Sequence, residues 1–203
     1  MSKRLGIFVS VDGPNGVGKT TLIEAVVRIL MAEGFSVCLT KEVTDSSLGK
    51  FIRDKHREYH GESLALLLAA DRSNHVENVI IPALMSHDFV ITDRYIDSSL
   101  VFQRLDGVAL EFLWMLNARF LKPDLSISIT ASSKTVASRL LSRKSFDRFE
   151  ETFSRDQEIL LFKEAADFLR TKGFNVCVFA NDEISLQDAA NFLSREIRQL
   201  GRQ

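Results

Sequence analysis

The chain has 203 residues, with 26 Lys and Arg against 27 Asp and Glu, a formal net charge of -1 and 45% hydrophobic residues. This balance lacks the bulk positive field that dominates non-specific nucleic-acid binding, and so argues against a chromatin-like or polybasic membrane role. The length suits one globular domain, residues 1–203, that needs neither disulfides nor a structural metal, and no apolar run approaches the ~20 residues of a membrane span.

Lys3 and Arg4 precede a short apolar run without a signal-peptide core or cleavage site, so a cytoplasmic protein is expected. From there, short apolar runs alternate with longer helical patterns, as in a parallel sheet covered by helices on both faces. The expected strands are Leu5–Val11, Phe35–Lys41, Phe89–Asp93, Asp124–Thr130 and Phe174–Phe179, four of them apolar enough for burial on both faces. The expected helices are Lys19–Glu33, Glu62–Ser86, Ser98–Phe120, Lys134–Ser142, Arg148–Lys172 and Ser185–Leu200. Cys38 and Cys177 fall within strands and read as small core residues in a reduced compartment. Alternating charges at 142–151 interrupt two helices and suggest a short lid.

Between the first strand and the first helix lies Gly13-Pro14-Asn15-Gly16-Val17-Gly18-Lys19-Thr20, a complete P-loop pattern followed by Thr21. Its glycines let consecutive N–H groups curl around phosphate oxygens, and the helix beginning near Lys19 aims its positive end at the same anion. Lys19 then reaches the β- and γ-phosphates of a nucleoside triphosphate, and Thr20 coordinates Mg2+. The third strand ends in Asp93-Arg94-Tyr95, where ligands collect in open parallel sheets. Asp93 suits a partner of Mg2+-bound water or a base, and Arg94 a clamp on a phosphoryl group. His56 and His60, four apart, would share a face if helical, but their charged neighbours read as solvated surface.

Four blocks together resemble the thymidylate kinase family of nucleoside monophosphate kinases. They are the P-loop; Leu67-Leu68-Ala69-Ala70-Asp71-Arg72 with Ile81-Pro82-Ala83-Leu84; Asp93-Arg94-Tyr95-Ile96-Asp97-Ser98-Ser99-Leu100-Val101-Phe102-Gln103; and Pro123-Asp124-Leu125 with Asp147-Arg148-Phe149-Glu150. The resemblance implies a P-loop NTPase fold with a five-stranded parallel sheet, and transfer of the ATP γ-phosphate to a pyrimidine deoxynucleotide, with dTMP leading. It implies that Arg72 and Gln103 bond the pyrimidine, that Ser99 lines its pocket, that Arg53 lies near the base and that Arg94 holds the acceptor phosphate. Phe102, in place of the usual Tyr, either crowds the sugar or is one more core aromatic. With Gly16 in the loop, the transition-state cations would be lid residues Arg143 and Arg148, while Arg139 shares a helical face with Arg143. A homodimer is also implied, for which the stretch Leu110–Leu121 with Trp114 offers either a contact face or core.

The acceptor side departs from the family pattern. Leu68 replaces a stacking aromatic, Lys41-Glu42-Val43-Thr44-Asp45 replaces Arg-Glu-Pro-Gly-Gly, Asn15 replaces an acidic residue and Asp12 replaces Glu. A kinase for another or modified nucleotide or nucleoside, and a non-catalytic ATP-binding module, therefore stand beside dTMP phosphorylation.

Overall fold

A computed structural model describes residues 6–140 and 154–201. Strands β1 (Ile7–Asp12), β2 (Val37–Lys41), β3 (Phe89–Asp93), β4 (Leu125–Thr130) and β5 (Val176–Ala180) form one parallel sheet in the order β2-β3-β1-β4-β5. Alternation along β1 feeds two cores. Ile7, Val9 and Val11 pack on Leu22 and Val26 of α1 (Lys19–Ala32) and Leu193 of α9 (Leu186–Leu200). Phe8 belongs to the cluster with Leu100 of α5 (Ile96–Leu105) and with Phe162 and Leu169 of α8 (Arg155–Thr171).

Three strands, not four, are buried on both faces, because β2 and β5 form the sheet's edges. Cys38 and Cys177 sit on those edges, half-buried rather than in the core, and burial raises both thiols.

The expected helix Glu62–Ser86 is α3 (Gly61–His75), a π turn at Val76–Ile80 and α4 (Ile81–Leu84). The wider turn lies just before Pro82, which has no N–H to continue the i to i−4 ladder. The expected helix Ser98–Phe120 divides into α5 and α6 (Leu110–Asn117), with Gly107 at φ 83 turning the chain between them. Trp114 of α6 packs edge-on against Phe168 at 5.5 Å, whereas Met115 is 63% exposed.

Helix α2 (Ser47–Lys55) is additional to the expected set. Ser46 caps it by accepting the Gly49 N–H at 2.9 Å, and Ile52 is its one buried large side chain, too little for a periodic signal. A Cβ on Gly49 would lie 2.0 Å from the Thr44 carbonyl oxygen, so this packing requires glycine. α2 ends at Lys55, which leaves His56 in the following turn and His60 as the N-cap of α3, not on a shared face.

The expected helix Lys134–Ser142 is seen as α7 (Ser133–Leu140), and α8 starts at a capping box of Ser154 and Gln157. The expected start at Arg148, the lid at 142–151, Arg143 and Arg148 all lie outside the described residues. No described helix is long and apolar enough to cross a membrane. Strands β1 and β3 pair with Val11 opposite Asp93, so the P-loop and Asp93-Arg94 leave the sheet side by side.

Candidate active site

The P-loop is shaped by glycine. Gly13, Gly16 and Gly18 have φ values of 145, 82 and 89, and a Cβ on Gly13 would lie 2.2 Å from the Ile129 carbonyl oxygen. Lys19 is the first residue of α1 and is buried, with Nζ donating to the carbonyls of Gly13 at 2.8 Å and Pro14 at 2.9 Å. Burial, reinforced by the Arg94 charge, lowers its ammonium to about 7. Three contacts from distant elements brace the loop. Asn181 Nδ2 and Arg139 donate to the Val17 carbonyl at 2.7 and 2.9 Å, and the Asn15 N–H donates to Glu158 Oε1 at 2.7 Å.

Across the loop, Thr20 Oγ1 donates to Asp93 Oδ2 at 2.8 Å, while buried Asp93 Oδ1 has no hydrogen-bond partner among the described residues. A hydroxyl beside an oxygen lacking a donor fits Mg2+, which keeps several waters and usually takes one or two protein oxygens beside its phosphates. No described cluster of three or more His, Cys, Asp or Glu surrounds such a point, so phosphate oxygens and water would supply its other ligands.

Arg94 has φ 74, in the left-handed region that a side chain of this size rarely adopts. Its N–H donates to the Val11 carbonyl at 2.9 Å, and its guanidinium reaches Asn15 Oδ1 at 2.6 Å and Ser98 Oγ at 3.2 Å, over the Phe102 ring at 5.1 Å. Lys19 and Arg94 thus line one cavity of about 190 Å³ with Gly16, Gly18 and Thr20, a cationic pocket sized for phosphate groups.

A second cavity, about 400 Å³, opens on the other side of Arg94 and is lined by Arg53, Leu68, Arg72, Ser99, Phe102 and Gln103. Phosphate cradle and ring-sized pocket therefore share one guanidinium. The family model for thymidylate kinase matches residues 11–186, which carry both cavities. The chain belongs to the thymidylate kinase family. It is 42% identical to a probable thymidylate kinase of Caldivirga maquilingensis, covering 71% of this chain and 72% of that one. It is 36% identical to a probable thymidylate kinase of Pyrococcus abyssi, covering 76% and 79%. To a thymidylate kinase of Caldicellulosiruptor saccharolyticus it is 35% identical, covering 96% and 97%.

Within this family frame the expected residues fall into three groups. The first lines the two cavities: Asn15, Gly16, Gly18, Lys19, Thr20, Thr21, Lys41, Asp93 and Arg94 around the phosphate pocket, and the six residues named above, with Arg94, around the other. Phe102 borders this cavity and packs edge-on against core Phe162 at 5.8 Å. The second group holds the walls. Arg53 donates to the Val43 and Thr44 carbonyls and pairs with Asp45 at 3.0 Å; Lys41, exposed, pairs with the same carboxylate at 3.3 Å. Arg72, 3% exposed, directs four of its N–H groups inward, two to Glu42, one to Asn117 and one to the Tyr95 carbonyl. The second NH1 hydrogen has no acceptor among the described residues, and Arg72 borders the cavity.

Asp12 forms the third group. It is 1% exposed, and its Oδ1 accepts from the N–H groups of Tyr95 and Ser98 and from the Ser98 hydroxyl, so it organises the start of α5 from beneath the site. Burial raises its carboxyl. Nearby Asp97 is also 1% exposed, with both oxygens lacking partners among the described residues; burial, then the Asp12 charge, holds its carboxyl well above the usual range. A raised carboxyl weakens the fold as pH climbs above its unfolded value, because only the unfolded chain can ionise freely. Asp97→Asn is therefore expected to gain stability over the wild type as pH rises from 5 to 8, seen as a widening gap between the two thermal-unfolding midpoints. Parallel melting curves for the two proteins would refute this.

Asn181, Glu158, Asn117, His75 and a cavity-lining role for His56 escape reasoning from sequence. The His56 ring bonds the Arg53 carbonyl through Nδ1 at 2.7 Å and borders the second cavity. No local motif marks these residues, since each acts on an element far along the chain or across a fold-made cavity. One signal was available for Glu158 alone, which stands four residues before Phe162 on the helical stripe continued by Ala165 and Leu169.

Proposed function

We propose that the chain phosphorylates dTMP, transferring the ATP γ-phosphoryl group to give dTDP and ADP. The observation that carries this reading is Gln103. Its Oε1 is buried at the wall of the second cavity without a partner among the described residues, an arrangement that disfavours the empty pocket and suits a ring N–H donor. Thymine offers that N–H beside a carbonyl, which the remaining Arg72 hydrogen can meet, whereas cytosine presents the opposite pattern. Ile52, Leu64 and Leu68 supply apolar walls suited to a methylated ring.

Transfer here is mainly positioning and charge neutralisation. Lys19 meets the β- and γ-phosphate oxygens, the P-loop amides orient the chain of phosphates, and Arg94 holds the acceptor phosphate in line. An acceptor oxygen bonds to the γ-phosphorus as the bridge to the β-phosphate breaks, with Arg143 and Arg148 assigned to the transferred group's charge. Thr20 and Asp93 would hold Mg2+, directly or through water, and the ion supplies charge neutralisation across the phosphates. The reading includes a cytoplasmic homodimer, with exposed Leu66 and Met115 as apolar surface.

The test is Mg-ATP turnover with dTMP, dUMP, dCMP, ribonucleotides and thymidine. Preference for dTMP, with dCMP at least tenfold poorer, is the expected result. Preference for a pyrimidine monophosphate bearing a polar 5-substituent would move the assignment to that acceptor, a second reading favoured by His56 on the cavity wall and Leu68 at the usual stacking position. ATP binding without any transfer would overturn the kinase reading.

A further inference from the structure

We infer that His75 is a positioning residue for the acceptor: its imidazole fixes one oxygen of Glu42 so that the other holds Arg72 against the acceptor cavity. The inference rests on reading that cavity as the nucleotide site. The Glu42 side chain is 7% exposed, so its oxygens depend on protein donors. Oε2 receives Arg72 Nε at 2.9 Å and an Arg72 terminal nitrogen at 2.6 Å, and Oε1 receives His75 Nδ1 at 3.1 Å. An ionised carboxylate only accepts, so Nδ1 donates to Oε1, and Nε2 shares a hydrogen bond with the Thr40 hydroxyl at 2.8 Å.

The spacing makes this a clamp. Thr40 stands two residues before Glu42 at the end of β2, and His75 stands three after Arg72 on α3, so strand and helix are joined at two adjacent points. Without a donor on Oε1, the Glu42 carboxylate turns about its soft terminal torsion, and the two Arg72 bonds to Oε2 loosen, which leaves Asn117 and the Tyr95 carbonyl as the guanidinium's remaining anchors. His75 thereby settles in advance where the last Arg72 hydrogen points, which lowers the ordering required when the base enters.

Three variants test the proposal. In His75→Asn the amide nitrogen falls near Nδ1 and keeps the bond to Glu42; in His75→Gln it falls near Nε2 and does not. Thr40→Val removes only the hydroxyl. With dTMP as acceptor, His75→Gln is expected to raise the acceptor KM about tenfold and Thr40→Val about threefold, while the KM for ATP and kcat at saturating dTMP stay within about twofold. His75→Asn is expected to restore the acceptor KM. An unchanged acceptor KM in His75→Gln and Thr40→Val, parallel rises in both KM values, or equal behaviour of Asn and Gln would overturn the inference. Should His75→Gln fail to fold, the isosteric Thr40→Val decides. An active wild type with unaffected variants sinks this inference alone, whereas a wild type inactive on every pyrimidine monophosphate sinks the functional reading and this inference with it.

Discussion

Lys19→Ala is expected to lower kcat about 10³-fold at saturating ATP and dTMP, the range found when a preorganised group facing transition-state charge is removed. The effect is large because the ammonium is already at the anion site, buried at the start of α1 and held by the Gly13 and Pro14 carbonyls. Unfolding would not explain the loss. The ammonium sits near 7 in the free protein against its ordinary 10.5, so burying it costs stability increasingly as pH falls from 10.5 to 7, and constantly below. Removing it is thus expected to leave the melting temperature at neutral pH no lower.

The same shift links ATP binding to protons. At pH 8 most free protein carries a neutral Lys19, and an arriving triphosphate favours the charged form, so binding takes up close to one proton; at pH 6 the proton is already present. Calorimetry in buffers of different ionisation enthalpy reads this directly. Buffer-independent heats at pH 8, or an uptake that survives Lys19→Ala, would show that Lys19 is not the group being charged.

Arg94→Ala is expected to lower kcat/KM for dTMP by about 10²- to 10³-fold while changing the KM for ATP by less than about threefold. Three contacts aim this guanidinium: the Asn15 amide oxygen, the Ser98 hydroxyl and the Phe102 ring. Alanine retains a Cβ and so keeps the same backbone demand at φ 74, which separates loss of the cation from relief of strain. Arg94→Lys should recover only part of the activity, since an ammonium lacks the paired donors that fit a phosphate. Equal losses toward ATP and dTMP would mean that Arg94 serves the donor phosphates and not the acceptor.

The triphosphate half of the site was legible because its chemistry is contiguous. Gly13 through Thr20 must follow one strand and open one helix, and Asp93-Arg94 must end a strand; apolar runs on either side disclose those boundaries. Phosphate recognition by backbone N–H groups depends on a local loop shape, which glycine spacing specifies.

The acceptor half was legible only as a set of names. Arg72 and Gln103 pointed to a polar base edge, but folding commits most of the Arg72 donors to Glu42, Asn117 and Tyr95, and leaves Gln103 Oε1 without a partner among the described residues. Asp12 likewise turns inward to cap α5, and α2, with a single buried large apolar residue, gave no periodic sign of itself.

By itself the amino-acid sequence determined the α/β class, the parallel strands and the phosphate loop, which are properties of short-range pattern, while the family was read from the likeness of four motif blocks spread along the chain. Tertiary structure alone decided which face each buried polar group satisfies, which strands became edges, and that Glu158, Asn181 and His75 serve the site. The physical reason is that a polar side chain must find a partner once water is removed, and which partner is within reach depends on elements brought together from across the chain.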